Sequence, residues 1–557
     1  MAAVLDERDF TIAETEFLSL FFTGVAERSP VYCARDLISG KLWAFLAGSY
    51  SRTTITMREK FLRTVRDFSG SIEAYFDVIN AATAAPTTEL TQLTAKAEAF
   101  LSKWAVDYGH DSLKDSCTDR FAVERCTIRG AKVLERFQLG AYQEKSTRYV
   151  DFSTVRPMLE VMPDGGEELE SIHHDSMELY TEMSGASAKQ YMLKLATDSS
   201  ITPTVAARTA QAKAFDVARY ILGAYLPTAA GLTLPSRETS RAIDFFLGHK
   251  FPEIREIGRL MHEHGVFVNQ ALLTRVTPKP ERILSRDLLI PLLPFTTNDT
   301  PLQVMDAFVS GSYCEGCKYE HGPVTLFTAE RNSLMHPRYF APAALLVEQH
   351  GTATSISAFV RDAINHGNTD AVRAIWEAAL KDVGTHDEYP EPLDSVFLHV
   401  AGDIDFGAYR DLQRHRRGYQ PDINVDSVYE YSEPFVDWDA LENGQDLRNR
   451  YTELMARMTS LRERLPEEQA AYAMFLGHNV RFRYSCSLRQ LLYIIRLRTG
   501  PAGHESYRTF VQAIARTLID AIPELEFLIS VDWSTNTDRA VSETRAEEKR
   551  QALKGEA

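Results

Sequence analysis

The sequence predicts a helix-rich α+β protein that consists of two tandem copies of one domain. Residues 134–149 read LERFQLGAYQEKSTRY, and residues 412–420 read LQRHRRGYQ. The tripeptide Arg-Phe-Gln at 136–138 aligns with Arg-His-Arg at 414–416, and the offset (414 − 136 = 278) is half of the 557-residue chain. A repeat of this period indicates duplicated domains, because solenoid repeats are much shorter.

A second pair of similar blocks lies nearer the end of each half. Residues 216–238 read DVARYILGAYLPTAAGLTLPSRE, and residues 470–498 read AAYAMFLGHNVRFRYSCSLRQLLYIIRLR. They align Arg237 with Arg489 at a smaller offset (489 − 237 = 252). The second copy is therefore predicted to be shorter than the first between its two blocks.

Each copy lacks functional side chains that the other keeps. Arg219 of the first copy aligns with Ala471, whereas Arg498 of the second copy aligns with Phe246. The other block shows the same reciprocity: Phe137 and Gln138 stand opposite His415 and Arg416, and Asn424 and Asp426 stand opposite Ser146 and Arg148. A complete set of residues is obtained only if both copies contribute to one composite site.

Hydrophobic spacing predicts helices in both copies. The first copy shows this spacing within residues 1–60, over 56–105 with a break near 85–87, and over 171–196 and 204–222, with a turn-rich connector at 160–169. The second copy shows it at 341–348, 356–365, 370–381 and 445–461. The chain is therefore expected to be rich in helices, with some strands.

Five prolines between residues 277 and 301 mark the best linker in the chain. The segment after residue 538 is charged and poor in apolar residues, which is typical of a tail that does not pack. The predicted domains are a first copy at 1–276, a linker region at 277–325, a second copy at 326–537 and a charged tail at 538–557.

Composition limits the possible partners. A net charge of −16 argues against a general nucleic-acid scaffold, which needs a basic surface. The N-terminus lacks the pattern of a signal peptide, and the most apolar stretch, residues 288–295, is too short to cross a membrane. Six cysteines do not form a disulfide framework in a chain of this length. We therefore expect a cytoplasmic protein without a nucleic-acid or membrane partner.

Two clusters of cations could bind phosphate, because the planar donor fork of arginine fits phosphate oxygens. The first comprises Arg136, Ser146, Arg148 and Arg219, and the second comprises Arg414, His415, Arg416 and Arg417. Adjacent cations repel, so a pyrophosphate or an electron-rich reduced flavin ring would stabilise the second cluster. The alternative interpretation is that these arginines are solvated surface charges.

A metal site is not expected. Cys314 and Cys317 form a CxxC motif with His321 nearby, but the sequence has no second CxxC to complete a four-ligand zinc site. A local loop is the better interpretation of this motif.

Arg-His-Arg followed shortly by Ser-x-Arg-Tyr resembles the signature of flavin-dependent thymidylate synthases. Here the two parts are divided between residues 414–416 and residues 146–149. Residues 109–112, Gly-His-Asp-Ser, are similar to the Gly-His-Glu-Ser segment that the family places near the flavin. The resemblance covers most of both halves and is weak outside these blocks.

The resemblance implies a reductive methylation of deoxyuridylate at C5, with FAD, NADPH and methylene-tetrahydrofolate. It assigns these roles: catalytic, His110, His415 and Arg219; flavin-binding, Arg414, His415, Arg416, Ser112 and Arg489; nucleotide-binding, Glu144, Ser146, Arg148, Arg219 and Arg498. Because the family is tetrameric, a two-copy chain is expected to form a homodimer with four copies in all.

Departures from the family pattern leave three function classes open. Besides the replacements above, Pro235 stands where the family has an asparagine that contacts flavin, and Ser487 stands there in the second copy. The chain could be a thymidylate synthase, a diverged flavoenzyme with another nucleotide or natural-product substrate, or a non-catalytic nucleotide-binding protein. Bound flavin would separate the first two classes from the third.

Overall fold

A computed structural model describes the chain over residues 8–74 (except 36, 39, 51 and 73), 114–197 (except 116), 201–269 and 273, 318–328, 335–350, 358, 361–363, 365, 369–423 and 428–534. The described first half contains, in order, α1 (Ile12–Ser19), β1 (Val31–Cys33), α2 (Gly40–Tyr50), α3 (Met57–Ser69), β2 (Thr118–Thr127), α4 (Ile128–Leu134), β3 (Ala141–Glu144), α5 (Gly166–Leu195), α6 (Pro203–Ala218), β4 (Pro227–Pro235), α7 (Ser236–Leu247) and α8 (Pro252–Val266).

The described second half repeats many of these elements. It contains β5 (Lys318–His321), β6 (Val324–Phe327), α9 (Pro337–His350), α10 (Thr369–Leu380), β7 (Phe397–Asp405), α11 (Phe406–Gln413), β8 (Gly418–Tyr419), β9 (Val428–Tyr431), α12 (Gly444–Arg464), α13 (Glu467–Ala470), β10 (His478–Ser487), α14 (Leu488–Arg498) and α15 (Glu505–Ala521). Short 3-10 turns lie at Leu159–Val161, Pro163–Gly165, Arg219–Ile221, Glu391–Ser395, Trp438–Ala440 and Pro523–Phe527. The predicted helices at 171–196, 204–222, 341–348, 370–381 and 445–461 are confirmed as α5, α6, α9, α10 and α12, with shifted ends.

The chain folds into two compact units. The first unit comprises Met1–Glu182, Ile221–Leu284 and Asn449–Phe475, and the second comprises Met183–Tyr220, Ser285–Arg448 and Leu476–Ala557. Each unit thus contains a segment that, by sequence alignment, belongs to the other copy. The predicted domain join at 277–325 stays a prediction, because most of those residues lie outside the described part of the chain.

The first unit is built on an antiparallel sheet with strand order β1-β2-β4-β3. An apolar cluster that includes Phe17, Trp43 and Phe61 joins α1, α2 and α3 to Ala122 and Ala229 of the sheet. Helices α7 and α8 pack together, and α8 also contacts β1 and β2. These contacts explain why β2 and β4 are buried along most of their length.

The second unit is built on a sheet with strand order β5-β6-β7-β10-β8, and β9 also pairs with β10. Helix α15 contacts β5, β6 and β7, and it packs against α14. The order β6-β7-β10-β8 repeats the order β1-β2-β4-β3 of the first unit. Both sheets are antiparallel at every described pairing between neighbouring strands.

Strand register confirms the two sequence offsets. The pair Ala141 and Thr233 of the first sheet corresponds to the pair Tyr419 and Ser485 of the second, at offsets of 278 (419 − 141) and 252 (485 − 233). Helix caps obey the same offsets, since Asp405 of α11 corresponds to Thr127 of α4. A bulge between Val123 and Cys126 adds one residue to β2. The tandem, helix-rich α+β prediction is therefore confirmed.

The exchanged segments make defined backbone contacts within their units. In the second unit, Gly477 N–H donates to the carbonyl of Tyr220 at 2.8 Å. In the first unit, Ala224 N–H donates to the carbonyl of Met474 at 2.8 Å. Both bonds join a residue of one sequence copy to a residue of the other. No helix in the described part of the chain is long and apolar enough to cross a membrane.

Candidate functional site

The second unit carries the Arg-His-Arg loop at the end of α11. Asp405 is the N-terminal cap of α11, its side chain accepts a hydrogen bond from Ala408 N–H at 2.8 Å, and Arg414 is the C-terminal cap. Cations at a helix C-terminus interact favourably with the negative end of the helix dipole. The cap therefore offsets part of the repulsion among the adjacent arginines of residues 414–417.

His415 and Arg498 form a direct polar pair in this unit. Arg498, the last residue of α14, donates from Nε to His415 Nε2 at 2.7 Å. Burial, reinforced by the positive charge of the neighbouring arginines, lowers the pKa of His415 to about 3. The imidazole is therefore neutral at physiological pH, with Nε2 as an acceptor and the proton on Nδ1.

Arg219 is buried at the C-terminus of α6 and reaches the same helix. Its side chain is only 2% exposed, and Nη1 lies 3.3 Å from Asp411 Oδ2. A Cβ atom on Gly407 would lie 3.0 Å from Asp405 Oδ1 and 3.4 Å from both Nε and Nη2 of Arg219, so the backbone of α11 lies close to both charged groups. Asp411 Oδ1 also lies 3.9 Å from Arg414 Nε. A chain of contacts thus connects Arg219, through Asp411, to the Arg-His-Arg loop.

Asp405 supplies a second, deeply buried carboxylate near Arg219. It is 1% exposed, and the Ser506 hydroxyl donates to its Oδ2. Burial raises the pKa of Asp405, while the charge of Arg219 and the Ser506 and Ala408 hydrogen bonds act in the opposite direction. These donors stabilise a charge that would be costly to bury without partners.

Four of the predicted site residues are therefore brought together in one unit: Arg219, Arg414, His415 and Arg498. Arg416 follows on the same loop and donates to the Arg414 carbonyl at 3.4 Å. Arginine forks beside a neutral histidine can bind an anionic ligand such as a phosphate.

Arg489 lies on the first turn of α14 and has local partners. It donates from Nε to the Tyr389 carbonyl at 2.7 Å and from Nη1 to Asp394 Oδ2 at 2.9 Å, and Nη2 donates to Glu388. Burial raises the pKa of Asp394, but hydrogen bonds from Ser487 and Arg489 outweigh it and leave the pKa below its usual value. Its predicted flavin contact stays a prediction.

Glu144 belongs to a buried ion triad in the first unit. Lys132 Nζ lies 2.8 Å from Glu135 Oε2 and 2.9 Å from Glu144 Oε2, and these side chains are at most 3% exposed. The two buried carboxylates depend on this one ammonium group, because its removal would leave them without a counter-charge. The predicted nucleotide-binding role of Glu144 stays a prediction beside this structural one.

Replacing Lys132 by methionine is expected to destabilise the protein by about 3–5 kcal/mol, because two buried carboxylates lose their shared counter-charge. Guanidinium denaturation measures the change in the free energy of unfolding, taken from the transition that occurs at the lowest denaturant concentration. Lys189→Met is the matched control, since Lys189 makes an exposed ion pair with Glu442 at 2.7 Å. Equal midpoints for the two variants would contradict the structural role of Lys132.

Ser146 and Arg148 also lie in the first unit. Arg148 N–H donates to Ser146 Oγ at 3.2 Å, and the Ser146 carbonyl accepts from Val150 N–H at 3.0 Å. This turn presents both side chains in half-buried positions. Their predicted role in nucleotide binding stays a prediction. His110 and Ser112 lie outside the described residues, as do Cys314 and Cys317.

The first copy replaces the His415–Arg498 pair with two aromatic rings in contact. Phe137 aligns with His415 and Phe246 aligns with Arg498, and their ring centroids lie 5.7 Å apart at 85°. Arg136 stacks over the neighbouring Phe245 ring at 4.2 Å. The alignment identified both phenylalanines but not their contact. The hydrogen-bonded pair and the aromatic pair are thus alternatives at one structural position.

Sequence reasoning missed the acidic residues of the site. Asp411 and Asp405 were not candidates, because an isolated aspartate on a helix gives no signal in one sequence. Their role depends on Arg219, which is distant in the chain (411 − 219 = 192 residues) and reaches them only through the segment exchange.

The two α+β units share a strand order, and the second carries an arginine–histidine loop at the end of α11. The chain belongs to the family described as thymidylate synthase complementing protein, whose model matches residues 65–266 and 345–524. The two matched regions correspond to the two copies, and the family is flavin-dependent.

Two relatives are similar along nearly the whole chain. A UPF0159 protein of Chlamydia pneumoniae is 25% identical over 556 residues, which cover 95% of this chain and 96% of the relative. A UPF0159 protein of Chlamydia muridarum is 24% identical over 564 residues, which cover 97% of this chain and 99% of the relative. The similarity therefore extends through both copies.

Proposed function

We propose that this protein is a flavin-dependent thymidylate synthase-like enzyme that reductively methylates deoxyuridylate at C5 with FAD, NADPH and methylene-tetrahydrofolate. The observation that carries the proposal is the group formed by Arg219 of the first copy and Arg414, His415 and Arg498 of the second, within the second unit. Family membership supplies the reaction class. Assembly as a homodimer is part of the proposal.

The arginines of this group suit the phosphate of a nucleoside monophosphate. Arg219 is fixed by burial and by Asp411, so its guanidinium has lost most of its conformational freedom before a ligand binds. Arg498 is held at Nε by His415, and its terminal amino groups are the part that can bind a ligand. Preorganised forks of this kind orient an anionic substrate at low entropic cost.

The residues of the loop also fit a flavin dinucleotide. Arg414 has a side chain that is 49% exposed, so its donors reach the space in which a diphosphate can lie. Tyr419, three residues after Arg416, is 64% exposed and offers a ring for stacking. When bound, FAD would supply hydride transfer, while the protein residues bind and orient the ligands and exclude water.

A spectrum and a product assay test the proposed function. The purified protein, or the protein mixed with FAD, is expected to absorb near the flavin maxima and to form thymidylate only when NADPH, deoxyuridylate and methylene-tetrahydrofolate are all present. Flavin absorbance without thymidylate would identify a diverged flavoenzyme. A colourless protein that takes up no FAD would contradict the proposal and favour the non-catalytic alternative.

A further inference from the structure

Asp411 lies between two arginines of the proposed nucleotide site. Its Oδ2 is 3.3 Å from Arg219 Nη1, and its Oδ1 is 3.9 Å from Arg414 Nε. The carboxylate side chain is 13% exposed, whereas that of Arg219 is 2% exposed. The two oxygens of Asp411 therefore lie within ion-pair distance of two arginines of the candidate site, Arg219 and the loop residue Arg414.

Arg219 has a second counter-charge that is fixed more firmly. Asp405 caps α11 through Ala408 N–H and accepts a hydrogen bond from Ser506, so it is part of the framework of the unit. Asp411 sits on the last turn of the same helix, one turn before Arg414. Asp405 thus remains as a buried carboxylate beside Arg219 when the charge of Asp411 is removed.

Comparison of the two copies associates Asp411 with Arg219. The residue of the first copy that aligns with Asp411 is Val133 (411 − 278), and the residue of the second copy that aligns with Arg219 is Ala471 (219 + 252). Segment exchange places Val133 and Ala471 in the first unit and the charged residues in the second. The second unit therefore contains both Asp411 and Arg219, whereas the first unit has Val133 and Ala471 at the aligned positions.

We propose that Asp411 is a positioning residue that holds Arg219 and Arg414 as an internal counter-ion and competes with the substrate phosphate for both. This inference rests on the proposed function, in which these arginines bind a nucleoside monophosphate. A phosphate dianion carries more charge and more acceptor atoms than one carboxylate, so it displaces Asp411 from the arginines. An uncharged nucleoside cannot do so, and Asp411 therefore favours phosphorylated ligands.

The test is the affinity of Asp411→Asn for three probes: inorganic phosphate, deoxyuridylate and uncharged deoxyuridine. Removal of one negative charge beside two arginines is expected to tighten binding of phosphate and deoxyuridylate by about tenfold. The affinity for deoxyuridine should change by less than about twofold. Unchanged or weaker binding of both anions would overturn the proposal. Either result is expected if Asp411 only supports the structure and does not compete with the anion.

Asp403→Asn is the matched control. Asp403 pairs with Arg481 at 2.7 Å on the sheet of the same unit, so this change removes the same charge away from the candidate site. It should leave all three affinities unchanged, and equal tightening in both variants would contradict a local role for Asp411. If Asp411→Asn fails to fold, Asp411→Ser provides the same charge removal with a smaller side chain.

Inorganic phosphate separates this inference from the proposed function. A wild-type protein that binds phosphate but not deoxyuridylate would contradict the proposed substrate. Tighter phosphate binding by Asp411→Asn in that protein would still support competition by Asp411. A protein that binds deoxyuridylate, with no gain in Asp411→Asn, would leave the proposed function intact and overturn the inference.

Discussion

Replacing Arg498 by alanine is expected to weaken deoxyuridylate binding by about 30-fold to about 3000-fold. The range follows from about 2–5 kcal/mol for the loss of one partner of a desolvated, hydrogen-bonded charge pair, at about 1.4 kcal/mol per factor of ten. Titration calorimetry with the FAD-loaded protein measures the loss. The change also removes the donor to His415, but that ring is neutral and keeps no buried charge.

Arg496→Ala is the control for this experiment. Arg496 lies on the same helix and is also half-buried, but it donates to the carbonyls of Gly384 and Asp387 at 2.9 and 2.8 Å. Its removal should leave the affinity for deoxyuridylate within about twofold of wild type. A folded Arg498→Ala protein with wild-type affinity would exclude Arg498 from the site.

Replacing both His415 and Arg498 by phenylalanine is expected to abolish nucleotide binding without unfolding the protein. The double variant copies the aromatic contact between Phe137 and Phe246, whose centroids are 5.7 Å apart. His415→Phe alone leaves the Nε donor of Arg498 without its acceptor, at a cost of about 1–3 kcal/mol. The second change removes that donor and adds an edge-to-face contact, which recovers about 0.5–1.5 kcal/mol.

A double-mutant cycle measures the stability that the double variant regains, from the thermal unfolding transition at the lowest temperature. A nucleotide titration of each variant measures binding. Stability and binding should move in opposite directions between the single His415→Phe protein and the double variant. A double variant less stable than both single variants would show that the aromatic pair depends on other features of the first copy.

The repeated architecture is predictable from the sequence. Offsets of 278 and 252 residues were derived from motif letters and recur in strand register and helix caps, because side-chain pattern and strand pairing follow the same period along the chain. A site composed of residues from both copies stays a prediction. In the second unit, Arg219 of the first copy does lie beside residues of the second.

The rest depends on contacts that a single sequence does not display. The bond from Arg498 to His415 joins residues 83 positions apart and sets the tautomer of the ring, while burial, reinforced by the charge of the neighbouring arginines, lowers its pKa. The alignment matched Phe137 to His415 and Phe246 to Arg498, one position at a time. It therefore did not show that the two phenylalanines touch each other, or that His415 touches Arg498. The segment exchange was equally invisible, because local pattern does not specify which sheet a helix packs against.

The exchanged segments make each unit depend on both halves of the chain. Since residues 183–220 complete the second unit and residues 449–475 complete the first, neither half of the chain encodes a whole unit. A deletion that removed either copy would also remove part of the unit that remained. A truncated chain with one copy is thus expected to lack a segment of its remaining unit.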